Sequence, residues 1–108
     1  MLKATKYRRD GTPYPEGNDG LFEWARDLED RKYQVVRQET LPNGYWVSTV
    51  WLGLDHDFTG KGPPLIFETM VRNTAVGEWE DYQERYSTEN DAIIGHMQTV
   101  DIFIKKKS

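Results

Sequence analysis

The sequence predicts an α+β fold in a single domain spanning residues 1–108. An antiparallel sheet of three to five strands carries two helices packed on it. Three observations predict this. Residues 32 to 86 alternate with a period of two, broken only by short turn-forming stretches. A 3.6-residue apolar period stands on each side of that run, near Leu21 and near Ile93. Successive strands joined by short links favour a meander, and helices at its two ends favour a layer on one face. The chain has 108 residues and 13% aromatics, four of them tryptophan, enough large rings to fill one core without disulfides.

The first element is the weakest. In "KYRRDGTPY" the Asp10-Gly11 pair is a turn signal, and Pro13 and Pro15 hold a second arm to an edge position. In "EGNDGLFEWARDLED", Asn18 or Asp19 serves as N-cap for a helix starting near Gly20. Leu21, Trp24, Ala25 and Leu28 form its apolar stripe. From Lys32, "KYQVVRQETL" and "GYWVSTVWLGLD" read as two strands around "PNG", with Asn43-Gly44 suited to a type I′ turn. One face of the second strand carries Trp46, Val50, Leu52 and Leu54, and the other Tyr45, Val47, Thr49 and Trp51. Two apolar faces mark a central strand, or one covered on both sides.

"PLIFETMVRN" reads as the next strand, with Leu65, Phe67 and Val71 on one face and Ile66, Glu68, Met70 and Arg72 on the other. "EWEDYQERY" reads as a polar edge strand whose charges discourage unwanted pairing. Ser87 or Thr88 caps the last helix, with Asp91 completing an approximate capping box. Its predicted buried stripe is Ile93, Met97, Val100 and Ile104.

The charge balance excludes several function classes. A net charge of −4, with Lys105-Lys106-Lys107 as the sole basic run, disfavours a nucleic-acid partner. The absence of cysteine removes thiol nucleophiles, thiolate zinc sites and disulfides, and fits a reducing cytoplasm. No apolar run approaches the ~20 residues of a membrane helix. The first residues lack the apolar core of a secretory signal. A cytoplasmic protein without a membrane partner is expected, and no cofactor is implied.

The chemical candidates gather in "LGLDHDFTGKGPPLIFETM". Asp55, His56 and Asp57, with Glu68 on the next strand and His96 on the last helix, offer a mixed oxygen and imidazole set for a divalent metal. The bland reading is that both aspartates bond backbone amides in a turn. No HExxH, HxH or HxxxH spacing supports the metal. The Gly60-Lys61-Gly62-Pro63-Pro64 stretch lacks the P-loop frame and precedes a strand. His96 could act as a general base with Glu68 or Glu84, or pack and hydrogen-bond across to the sheet. Gly95 beside it points to close approach of another backbone, or a bend. Ser48 and Ser87 lack a G-x-S-x-G context, so no catalytic residue is assigned. For binding the sequence offers Trp79, Glu80, Asp81 and Tyr82, then Asp55, Asp57 and Lys61.

The strings "VSTVWLGLDH", "PPLIFETMV" and "RYSTENDAIIGH" resemble a family of small phage and prophage proteins, over residues 41 to 96. Arg72 stands where that pattern has an aromatic, and Asn90 where it has an acid. The resemblance brings no activity with it. It implies a small accessory protein that binds a host or defence-system protein in the host cytoplasm, an inhibitor of CRISPR being one form, with homodimerisation left open. The alternatives are a metal-dependent hydrolase using the Asp55-His56-Asp57 loop with Glu68 and His96, and a virion structural or assembly component.

Overall fold

A computed structural model describes residues 6–57, 59 and 61–107. The elements are α1 (Asn18–Glu29), α2 (Arg31–Gln34), β1 (Val35–Thr40), β2 (Tyr45–Trp51), β3 (Phe67–Asn73), β4 (Glu78–Tyr86) and α3 (Glu89–Phe103). The four strands form one antiparallel sheet in the order β1-β2-β3-β4. The α+β meander with helices on one face is therefore as the alternation predicts. No described helix is long and apolar enough to cross a membrane.

Strand parity decides the layers. Tyr45, Val47, Thr49 and Trp51 of β2 sit beside Asn73, Val71, Thr69 and Phe67 of β3, and this face is buried under the helices. Trp51 anchors one cluster with Tyr14, Ile66, Phe67 and Ala92. Trp24 and Leu28 of α1 pack on that cluster, and so does Tyr33 of α2. Leu41, Tyr45, Val47, Val71 and Phe103 form the second cluster, at the other end of α3. All three helices thus lie on one side. The predicted choice for β2 resolves as a central strand covered on a single face.

Local chemistry explains where the elements depart from expectation. The type I′ turn expected at Asn43-Gly44 does not form, because Asn43 keeps a negative φ and the reversal centres on Pro42 and Asn43, where proline excludes the positive φ of a primed turn. Gly44 N–H bonds Leu41 O at 2.9 Å around Pro42 and Asn43, and Gly44 alone turns left-handed at φ 93. This is a type I turn followed by a left-handed glycine. The strand expected from Lys32 opens instead with a helical turn, capped by the Asp30 side chain accepting from Lys32 N–H. Helix α1 starts at Asn18, with Gly17 as an N-cap that makes no side-chain bond, so neither Asn18 nor Asp19 is the cap.

Helix α3 shows the largest departure. Thr88 caps it as predicted, accepting from Asp91 N–H at 3.1 Å. Its buried side, however, is Ala92, Gly95, His96, Thr99 and Phe103. Of the predicted stripe, Ile93 and Val100 are half-buried, while Met97 and Ile104 are exposed. Its C-terminal carbonyls are met by Asn43, whose Nδ2 donates to Phe103 O and Lys106 O, both at 2.7 Å.

Candidate functional site

In the loop after β2 the aspartates are engaged with backbone. Asp55 Oδ1 accepts from Asp57 N–H at 2.8 Å and Leu65 N–H at 3.0 Å. Asp57 accepts from Thr59 through Oδ1 and from Gly62 N–H through Oδ2. His56 bonds Leu65 O through its own N–H, and Nδ1 donates to Leu54 O at 2.9 Å. These bonds shape the reversal into β3, as the bland reading expects. Lys61 is exposed at the rim of the loop.

Glu68 lies on the other face of the sheet, held by Gln83 Nε2 at 2.9 Å and Arg85 Nε at 3.1 Å. His96 lies under α3 on the helix side. The five metal candidates are therefore split between a loop and two opposite faces. Among the described residues, no group of three or more His, Cys, Asp or Glu side chains could hold a metal ion.

His96 is fully buried and bonds across to the sheet. Tyr86 Oη donates to Thr69 Oγ1 at 3.1 Å, Thr69 Oγ1 lies 2.5 Å from Thr49 Oγ1, and Thr49 Oγ1 lies 2.7 Å from His96 Nδ1. A carboxylate oxygen faces Nε2, so the imidazole proton sits on that nitrogen and Nδ1 is left to accept, and donation then runs from Tyr86 through Thr69 and Thr49 to Nδ1. The oxygen facing Nε2 is Glu39 Oε1 at 3.6 Å, beyond hydrogen-bond length. The carboxylate beside His96 is thus Glu39, not Glu68 or Glu84. The hairpin register could have revealed it, since Glu39 pairs with the buried Val47. Beside this chain Tyr82 Oη donates to Thr99 Oγ1 at 3.0 Å, and Thr99 donates to Gly95 O at 2.8 Å. Thr49, Thr69, Tyr86 and His96 lie in the strings "VSTVWLGLDH", "PPLIFETMV" and "RYSTENDAIIGH". Those strings therefore encode how α3 seats on the sheet.

Burial lowers the His96 pKa from 6.5, helped by Arg37 and opposed by Glu39. Below about 6.5 the unfolded imidazole takes a proton that the native one refuses. Stability should therefore fall as pH drops from about 6.5 toward the depressed native value, by at most about 1.4 kcal/mol per pH unit. Urea melts between pH 7.5 and pH 5 check this. The slope should shrink in His96→Gln, and an unchanged slope would assign it to other groups.

Among the described residues, no helix or strand covers the opposite face of the sheet. Its side chains form three cross-strand rows: Thr40, Trp46, Arg72 and Trp79; Gln38, Ser48, Met70 and Gln83; Val50, Glu68 and Arg85. The polar members are largely satisfied within the face: Gln38 Nε2 bonds Ser48 Oγ at 2.9 Å, and Glu68 holds Gln83 and Arg85. What remains available is aromatic. Trp46 and Trp79 pack with centroids 5.9 Å apart, and the Arg72 guanidinium lies 5.8 Å from the Trp79 ring. Trp79 is 50% exposed.

Of the predicted binding residues, Trp79 sits on this face, with half-buried Glu80 and exposed Asp81 next to it where the β3–β4 register shifts. Tyr82 does not join them. It turns under α3, edge-on to Phe103 at 5.2 Å. Strand alternation already separates positions 79 and 82. Trp46 and Arg72, on the same row as Trp79, escaped the sequence reading, although hairpin pairing was the available signal. No family model, curated protein or solved structure matches the chain.

Proposed function

We propose that the protein is a non-enzymatic binding module of phage type. It engages a host protein, a defence-system component among them, through the uncovered sheet face around Trp46 and Trp79. One observation carries this reading: the helices cover a single face, and the other presents a tryptophan pair whose polar neighbours are mostly bonded to one another. Tryptophan and arginine together are the residue types that most often anchor protein interfaces. A partner that buries this pair gains apolar contact without stranding many polar groups. The resemblance of residues 41 to 96 supports the phage context and the host cytoplasm as the place of action.

The test is capture from bacterial lysates with and without defence systems, comparing wild type, Trp79→Ala and Met97→Ala. Met97 is exposed on α3, away from the sheet face. Trp79→Ala should lose the retained partner while Tm falls by no more than about 5 °C, because a half-exposed ring forfeits little beyond its contact with Trp46. Met97→Ala should keep the partner. Retention by Trp79→Ala would sink the reading, and a large fall in its Tm would make that ring architectural.

A further inference from the structure

A partner seated on the open face also meets the edges of the four-strand sheet, and the two edges differ in what they offer. At β1, the Arg9 guanidinium bonds Tyr33 O at 2.9 Å and Val35 O at 3.4 Å, so side chain already covers one end of that edge. Strand β4 is the other edge and the longest strand, with nine residues.

We infer that the outer edge of β4 accepts an extended basic segment of the partner as a fifth strand. The inference rests on the open face being the working surface, and names how the partner extends from it. Parity specifies the segment. Glu78 and Glu84 pair with Asn73 and Thr69, so they share the helix-side face. Trp79 and Gln83 pair with Arg72 and Met70, so they share the open face. Among the described residues, Glu78, Glu80, Asp81 and Glu84 have no ion-pair partner, and Arg85 is committed to Glu68. A strand added here pairs on either side of the register shift at positions 80 to 82, with alternate side chains beside Glu78 and Glu84 and the others beside Trp79 and Gln83. The matching chemistry is lysine or arginine alternating with apolar residues. Main-chain bonds to an edge strand supply affinity, and the alternate side chains supply choice. A second copy of this chain does not fit, because pairing β4 with itself brings like carboxylates together.

A labelled alternating Lys-Val octapeptide titrated onto the full chain, read by anisotropy, tests this. Its Glu-Val counterpart is the control. The Lys-Val peptide should bind and slow amide exchange along β4. Glu78→Lys with Glu84→Lys should weaken it about tenfold or more. Glu29→Lys with Asp101→Lys changes net charge equally but lies on exposed helix positions, and should weaken it by less than about twofold. Equal weakening by both double variants, equal binding of both peptides, slowed exchange at β1 instead, or no binding would each overturn the edge assignment. If the peptide fails while Trp79→Ala still abolishes capture, the edge inference falls and the face reading stands. If capture survives Trp79→Ala, the face reading falls.

Discussion

Gly95→Ala should destabilise the protein by about 2 kcal/mol or more and lower Tm by about 10 °C, although alanine is the better helix former. Gly95 lies inside α3, where propensity alone favours alanine by about 1 kcal/mol. Space reverses the sign. An ideal Cβ on Gly95 would lie 2.2 Å from the Tyr86 ring. That ring is tethered by its bond to Thr69 and cannot swing aside without breaking the chain that ends on His96. Overpacking then displaces α3 or strands a buried hydroxyl, and either change costs more than the propensity gain. The close approach expected at Gly95 is real, but what approaches is a side chain. Thermal melts of Gly95→Ala and of Gly95→Ala with Tyr86→Phe check it. Stabilisation by Gly95→Ala would mean that α3 does not seat on Tyr86 as described.

Trp51→Ala and Trp46→Ala should differ widely, though the two rings are five positions apart on one strand. Trp51 is fully buried, lies edge-on to Tyr33 at 4.9 Å, and donates from Nε1 to Tyr7 O at 2.9 Å. Its loss should cost about 3–5 kcal/mol, a large share of the ~5–15 kcal/mol that holds a domain folded. It should also release the segment from Tyr7 to Tyr14, which docks on that ring. Trp46 lies on the uncovered face and chiefly forfeits its contact with Trp79, about 1 kcal/mol. Urea melts of the two variants check this, and comparable losses would mean that both faces are covered.

Much of the fold was legible because it depends on parity and turn chemistry. The alternation through Tyr45 to Trp51 placed the right residues on a common face, and the acidic run from Glu78 marked an edge strand. The site was less legible. The buried side of α3 defied apolar periodicity because the sheet beneath it offers hydroxyls. Thr49, Thr69 and Tyr86 make it favourable to bury His96, and Thr99 satisfies itself on Gly95 O. That pairing joins residues 47 apart in sequence, and no local pattern encodes it. The Trp46–Trp79 pair depends likewise on stacking two hairpins in register. Ile94, Met97, Ile102 and Ile104 could be taken for core by hydropathy alone, yet they face outward.

The central claim is that one face of the sheet works and the other is architecture. Hydroxyl-radical footprinting of the free chain and of the captured complex tests it directly, because reactive side chains lie on both sides. Trp46, Met70 and Trp79 report the open face, and Met97 reports the outward side of α3. In the complex, oxidation should fall at Trp79, Trp46 and Met70 and stay unchanged at Met97. Protection of Met97 with Trp79 still reactive would contradict the account and move the working surface to α3.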